Sequence, residues 1–151
     1  MELTFTNATE QDIDPIFSLC KELIDRYEDP SGIDYIKVLN WVYRKISENI
    51  SSYICVYLNR QKAGFYRFVP EEDTMELDDL YIFPQFRNQG IGTYIIQKCC
   101  RETDLPVMLY VFTQNTGALS LYQRLGFRIS RTVSNTRCIM IRNPHPEQEV
   151  L

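Results

Sequence analysis

The sequence predicts an α+β fold, and three observations carry that expectation. Apolar residues recur at strand spacing and at helix spacing in separate segments, which read in order as β-α-α-β-β-β-α-β-α-β-β. Two strand-like runs, Tyr53 to Leu58 and Ala63 to Val69, are separated only by Asn59-Arg60-Gln61-Lys62, a hairpin signal. Val107 to Phe112 is a nearly continuous apolar run, the pattern of a strand buried on both faces. A length of 151 residues fits one domain able to bury a core.

The first strand is residues 2 to 7, where Leu3 and Phe5 alternate with Glu2, Thr4 and Thr6. From Thr9 to about Arg26, Ile13, Ile16, Phe17, Cys20, Leu23 and Ile24 have helical spacing, and Pro15 falls in the tolerant first turn. Pro30 and Gly32 break that helix. A second one runs from about Asp34 to Glu48 on Ile36, Leu39, Trp41, Val42 and Ile46. Two helices ahead of the main sheet would make a lid or a substrate wall. In the hairpin that follows, Gly64 is the expected bulge, and Pro70-Glu71-Glu72-Asp73 is the next turn. A strand from Met75 to Phe83 leads into a glycine loop and a helix to about Glu102 whose apolar face is Ile91, Tyr94, Ile95 and Cys99. After the buried strand, Asn115 to Phe127 reads as a helix stopped by Gly126, followed by strands near 127–133 and 136–142.

The chemistry concentrates in Glu76 to Thr93, E-L-D-D-L-Y-I-F-P-Q-F-R-N-Q-G-I-G-T. Pro84 ends the strand's ladder, and the glycines open a helix whose first N–H groups have no partner within the helix. The amides of Gln89, Gly90, Ile91, Gly92 and Thr93 converge there, Gly90 and Gly92 carry no Cβ to keep a ligand off the backbone, and Arg87 and the positive helix end stand beside them. That combination suits a phosphate or pyrophosphate. A Gly-x-Gly before a helix also serves as a plain tight turn. No Lys-Ser/Thr follows the glycines, so this is not a Walker loop, and the missing third glycine argues against a dinucleotide fingerprint.

Arg-x-x-Gly-x-Gly directly after a strand and proline, at Arg87, Gly90 and Gly92, resembles motif A of the GNAT superfamily of acyl-CoA-dependent N-acyltransferases. Asn-x-x-Ala-x-x-Leu-Tyr-x-Arg-x-Gly-Phe, at Asn115 to Phe127, is similar to motif B of the same superfamily. With the element order, the resemblance covers nearly the whole chain and is weakest over residues 10 to 50. It implies a single domain over residues 1–151, an α/β/α sandwich whose mixed, mostly antiparallel sheet of six to seven strands is flanked by about four helices. The strands ending at Ile82 and Phe112 would run parallel and splay apart.

The resemblance also implies acetyl-CoA as co-substrate, with no metal. Arg87, Asn88, Gln89, Gly90, Ile91, Gly92 and Thr93 would hold its pyrophosphate, Asn115 would contact it, and Leu80, Tyr81 and Ile82 would border the pantetheine arm. A backbone N–H around Ile82 would face the oxyanion, and Tyr122 would give the leaving thiolate a proton or a hydrogen bond, phenol and alkyl thiol having comparable pKa values. Direct attack needs a neutral amine, and with an ordinary pKa near ~10.4 less than roughly a thousandth is neutral at pH 7. Glu76 is the first candidate base. Asp78 shares its face in a regular strand, Asp79 lies opposite, and a bulge would exchange their roles, so Asp79 is the second candidate.

Each residue has a plainer explanation beside this one. Asn115 suits an N-cap, Tyr122 is one of ten tyrosines, Arg87 would serve as a solvated loop charge, and the carboxylates would solubilise the surface. The acceptor expected is a primary amine of a small cationic metabolite, because Glu71, Glu72, Asp73, Glu76, Asp78 and Asp79 cluster, with Asp25, Glu28 and Asp29 in the helical lid. A protein or peptide amine and a non-catalytic acyl-CoA sensor are the alternatives. A net charge of −4 argues against nucleic acid as the partner, and no apolar stretch reaches membrane-spanning length. The expected setting is cytoplasmic, with a homodimer open. The five cysteines sit inside apolar patterns and read as buried thiols, and His145, in a Pro-flanked tail, reads as solvated.

Overall fold

The computed structural model describes residues 2–144, so His145 lies outside the described residues. Among the described residues seven strands form one mixed sheet, and there are four α-helices. In chain order these are β1 Leu3–Asn7, α1 Ile13–Tyr27, α2 Tyr35–Glu48, β2 Tyr53–Leu58, β3 Gln61–Glu71, β4 Thr74–Ile82, α3 Ile91–Arg101, β5 Val107–Phe112, α4 Thr116–Arg124, β6 Arg128–Thr132 and β7 Arg137–Arg142. The sheet order is β1-β2-β3-β4-β5-β7-β6. Met75 pairs with Val107 and Glu76 with Met108 in a parallel ladder between β4 and β5, while β1–β2, β2–β3, β5–β7 and β6–β7 are antiparallel.

The chain divides into two compact units, Met1–Arg67 with Asp79–Phe83, and Phe68–Asp78 with Pro84–Leu151, so β3 and β4 each contribute to both. In the first, Ile16, Ile46, Tyr53, Cys55 and Phe65 form a closed core. Phe17 of α1 meets Tyr43 of α2 edge to face, 5.3 Å between ring centres. A capping box holds the 3-10 turn Glu10–Asp12 that leads into α1: the Asp12 carboxylate accepts the Thr9 N–H at 2.8 Å, and its other oxygen accepts from Lys62 at 2.6 Å. In the second unit, Ile91, Ile95, Ile96 and Cys99 of α3 are buried, as are Val107, Leu109 and Met140 of the sheet.

Several expectations change in detail. The β2–β3 connection is a two-residue turn, Asn59-Arg60, both with positive φ (50° and 72°), so Gln61 and Lys62 already pair with Leu58 and Tyr57. The bulge lies one residue before Gly64: Val56 faces Gly64 and Tyr57 faces Lys62, leaving Ala63 extra. Pro70 and Glu71 belong to β3 rather than to a turn. The last pairing with β2 is Tyr53 with Arg67, so Pro70 removes no ladder bond on that side.

Tyr110 is 46% exposed, so β5 is not buried on both faces; the Arg137 guanidinium lies 5.7 Å from its ring centre. On α3, Tyr94 is exposed and Ile96 takes its expected place in the core. Cys55, Cys99 and Cys138 are buried, whereas Cys20 and Cys100 are half-buried; all five are free thiols.

Gly64 is required by packing. A Cβ there would sit 2.1 Å from the Tyr81 carbonyl oxygen, where β3 and β4 approach too closely for any side chain. Gly64→Ala is therefore expected to destabilise the protein by about 2–3 kcal/mol, read as a lower urea midpoint at unchanged m-value; a loss under about 0.5 kcal/mol would contradict this packing.

Candidate active site

In the second unit, the loop after β4 starts with a 3-10 turn, Pro84–Phe86, closed by the Arg87 N–H on the Pro84 carbonyl at 3.3 Å and anchored by buried Phe86. Asn88 (φ 61°) and Gly90 (φ 80°) then adopt left-handed backbone, a region Asn tolerates and Gly enters without cost. Gly90 is the N-cap of α3 and supplies no capping side chain, so the first amides of the helix are left to another acceptor. No heavy atom lies within 4 Å of the place a Cβ would occupy on Gly90. Buried Ile91 fixes the helix start while Asn88, Gln89 and Gly90 stay exposed. These are the features an oxyanion-rich group needs: oriented donors, a positive helix end and open approach.

The same unit holds α4. Asn115 is its N-cap, its Oδ1 accepting from the Ala118 N–H at 3.3 Å. The helix ends in a Schellman motif: the Phe127 N–H donates to the Tyr122 carbonyl at 3.0 Å and the Gly126 N–H to the Gln123 carbonyl at 3.1 Å, with Gly126 at φ 94°. Phe127 packs edge to face on Tyr122 at 5.6 Å, the apolar contact that completes the motif. Tyr122 is thus held through its backbone and its ring at once. Burial pushes its phenol up to about 12, so it stays protonated across the physiological range. Against an alkyl thiol near ~8.5, complete proton transfer would run uphill by roughly 4–5 kcal/mol, whereas donating a hydrogen bond to a thiolate carries no such cost. Glu76 is half-buried in β4, opposite Met108 of β5.

Asp79, Leu80, Tyr81 and Ile82 belong to the first unit. Asp79 has φ 50°, a left-handed residue inside a strand, and it breaks the alternation that would place Asp78 and Asp79 on opposite faces. One carboxylate oxygen of Asp79 accepts from the Tyr53 hydroxyl at 2.7 Å and from Lys45 Nζ at 3.1 Å. The Lys45 and Asp79 side chains are each 21% exposed, and Tyr53 is fully buried. Arg67 stands over the Tyr53 ring at 5.9 Å and donates to Ser52 Oγ and Asn49 Oδ1. Beside this network Leu19, Cys20, Leu23, Phe65, Leu80 and Tyr81 line a cavity of about 20 Å³.

Sequence reasoning missed Lys45 and Tyr53. They lie 34 and 26 residues from Asp79, and no local pattern marks either. The acidic helical lid also differs from expectation. Asp25 is engaged by Lys21 and by the Tyr35 hydroxyl, and Asp29 accepts from Ser31, so neither carboxylate stands uncommitted. Among the described residues no group of three or more His, Cys, Asp and Glu is placed to hold a metal, and no helix is long and apolar enough to cross a membrane.

Comparison with known proteins adds three likenesses. An uncharacterized N-acetyltransferase of Methanocaldococcus jannaschii is 26% identical over 147 residues, 86% of this chain and 62% of the relative. The thialysine N-epsilon-acetyltransferase of Mus musculus is 36% identical over 74 residues, 42% of this chain and 41% of the relative. The chain thus spans less than two thirds of either relative's own length. The crystal structure of the PaiA N-acetyltransferase of Thermoplasma acidophilum in complex with coenzyme A superposes with a TM-score of 0.64 at 19% identity, covering 95% of this chain and 99% of that one; this likeness shows the fold. The model of the acetyltransferase (GNAT) family matches residues 15–127, from the first turn of α1 to Phe127 with both glycine-bearing motifs, and the chain belongs to that family.

Proposed function

We propose that this chain is an N-acetyltransferase that moves an acetyl group from acetyl-CoA to the primary amine of a small cationic metabolite, by direct attack with both substrates bound. The observation that carries this reading is the open, uncapped start of α3 in the same unit as a Tyr122 fixed by its Schellman motif and kept protonated by burial. Coenzyme A in the Thermoplasma structure, and thialysine in the name of the mouse relative, are consistent with donor and acceptor of this kind.

The loop fits the donor. Arg87 and the amides of Gln89 to Thr93 would hold the pyrophosphate, with Asn88 shaping the turn, Asn115 offering its amide at the start of α4, and the backbone of Leu80, Tyr81 and Ile82 flanking the pantetheine. Acetyl-CoA supplies an activated thioester carbonyl. The amine nitrogen forms the new C–N bond as the C–S bond breaks, the proton on nitrogen leaves to Glu76 or through water, and the thiolate takes a hydrogen bond from Tyr122. Glu76 is the first base candidate and Asp79 the second, the Asp79 carboxylate accepting from Lys45 and Tyr53. Asp79 serves as a positioning residue for β4.

Thiol release from acetyl-CoA across polyamines, amino acids, aminoglycosides and short Lys peptides tests the activity directly. Release with a small diamine or a lysine-like amine is expected. Tight acetyl-CoA binding with no release from any amine would replace the transferase by a sensor, and release only with peptides would move the acceptor to proteins. Tyr122→Phe should lower kcat by about 10- to 100-fold while the acetyl-CoA Kd changes less than twofold. Because the phenol stays protonated to about 12, the wild-type rate should rise with pH as the amine deprotonates and show no falling limb from Tyr122 up to pH ~10.

Glu76→Gln and Asp79→Asn separate the two acids. The first should cut kcat and flatten the pH profile. The second should destabilise the fold by about 1–3 kcal/mol, because it leaves half-buried Lys45 without its counter-charge. Equal stability of both variants, with activity lost only in Asp79→Asn, would make Asp79 the base.

A further inference from the structure

A cavity of about 710 Å³ opens in the second unit at the C-terminal ends of α3 and α4. It lies at the far end of α3 from the glycine loop, roughly 15 Å along an 11-residue helix. Gln97 and Arg101 of α3, Thr103 and Asp104 just after it, Arg124 of α4 and Arg142 at the end of β7 line its polar side. Three elements that share no local sequence therefore each bring one guanidinium to one space.

The last turns of α3 and α4 favour cations for their own reasons, since Arg101 and Arg124 offset the carbonyl ends of their helices. That account does not reach Arg142, which stands on a strand. Its Nε donates to the Leu125 carbonyl at 3.1 Å, which fixes the plane of the guanidinium. Gly126 leaves room for it: a Cβ there would come within 3.2 Å of the same Nε. Among the described residues Arg101 and Arg124 make no hydrogen bond or ion pair, and Asp104 engages neither. The half-buried Cys100 thiol on the wall is raised by burial against the pull of Arg142 and Arg101, so it adds no competing negative charge. Among the described residues three guanidinium groups thus face one carboxylate across a space of the size that takes a metabolite.

We propose that this cavity is a second binding site, for a small organic anion carrying two or more negative charges, with Arg101, Arg124 and Arg142 as its recognition groups. Planar guanidinium forks match carboxylate and phosphate oxygens in pairs, and Thr103 and Gln97 supply neutral hydrogen bonds at the rim. The site is independent of the glycine loop.

Calorimetric titration of the whole chain at low ionic strength with inorganic pyrophosphate and, separately, with citrate tests the proposal and distinguishes the phosphate source from the polycarboxylate source. Saturable binding of at least one probe is expected to survive in Arg87→Gln, which removes the guanidinium of the glycine loop, and to weaken at least tenfold when Arg101→Gln/Arg124→Gln is added. Asp104→Asn should tighten the same probe several-fold. No saturable binding of either probe, or binding lost in Arg87→Gln, would overturn the proposal; the latter would put the anion in the glycine loop. Both substituted arginines are exposed helix-end residues, and a preserved unfolding midpoint checks that the variants fold.

Discussion

In the middle of β4 the backbone turns left-handed at Asp79, a conformation that costs a residue other than glycine roughly 1–2 kcal/mol. The side chain of the same residue offsets that cost. Its carboxylate accepts from a fully buried tyrosine hydroxyl and a half-buried ammonium, two charge-assisted hydrogen bonds. The strand therefore has two parts with different partners. Up to Glu76 it pairs in parallel with β5, and after Asp79 it carries Tyr81 into the aromatic group with Phe65 and Phe83. The close approach at Gly64 belongs to the same arrangement, since it is the Tyr81 carbonyl that leaves no room for a Cβ.

The chemistry proposed for the site draws on backbone more than on side chains. Amides at the start of α3 are available because Gly90 caps nothing and shields nothing. Tyr122 is placed by the way α4 ends, through Gly126 in a left-handed conformation and Phe127 folding back on the ring. Burial then decides what the phenol can do. With its pKa near 12 the phenol keeps its proton, which suits donating a hydrogen bond to a leaving thiolate.

What was legible in the sequence was local. The glycine loop, the Asn115 cap, the Gly126 stop and the limits of β2 and β5 all depend on residues within one turn or one strand of each other, where propensity and steric rules act directly. What was not legible depended on distant partners. Lys45 and Tyr53 reach Asp79 only through the tertiary fold, and they engage a carboxylate whose local sequence shows no partner. Tyr110 reads as core by its apolar neighbours, yet faces outward beneath Arg137. The reach of β3 through Pro70 followed from where β2 stops, which Pro70 itself does not reveal.

The central claim is that the first amides of α3 hold the phosphates of the acyl donor. The most direct measurement is the amide proton spectrum of the uniformly labelled protein with and without coenzyme A. The account predicts large shifts and slowed exchange at Gln89, Gly90, Ile91, Gly92 and Thr93, lost on titration with Arg87→Gln/Gly90→Val. Binding that leaves these five amides unmoved while perturbing another surface would contradict it.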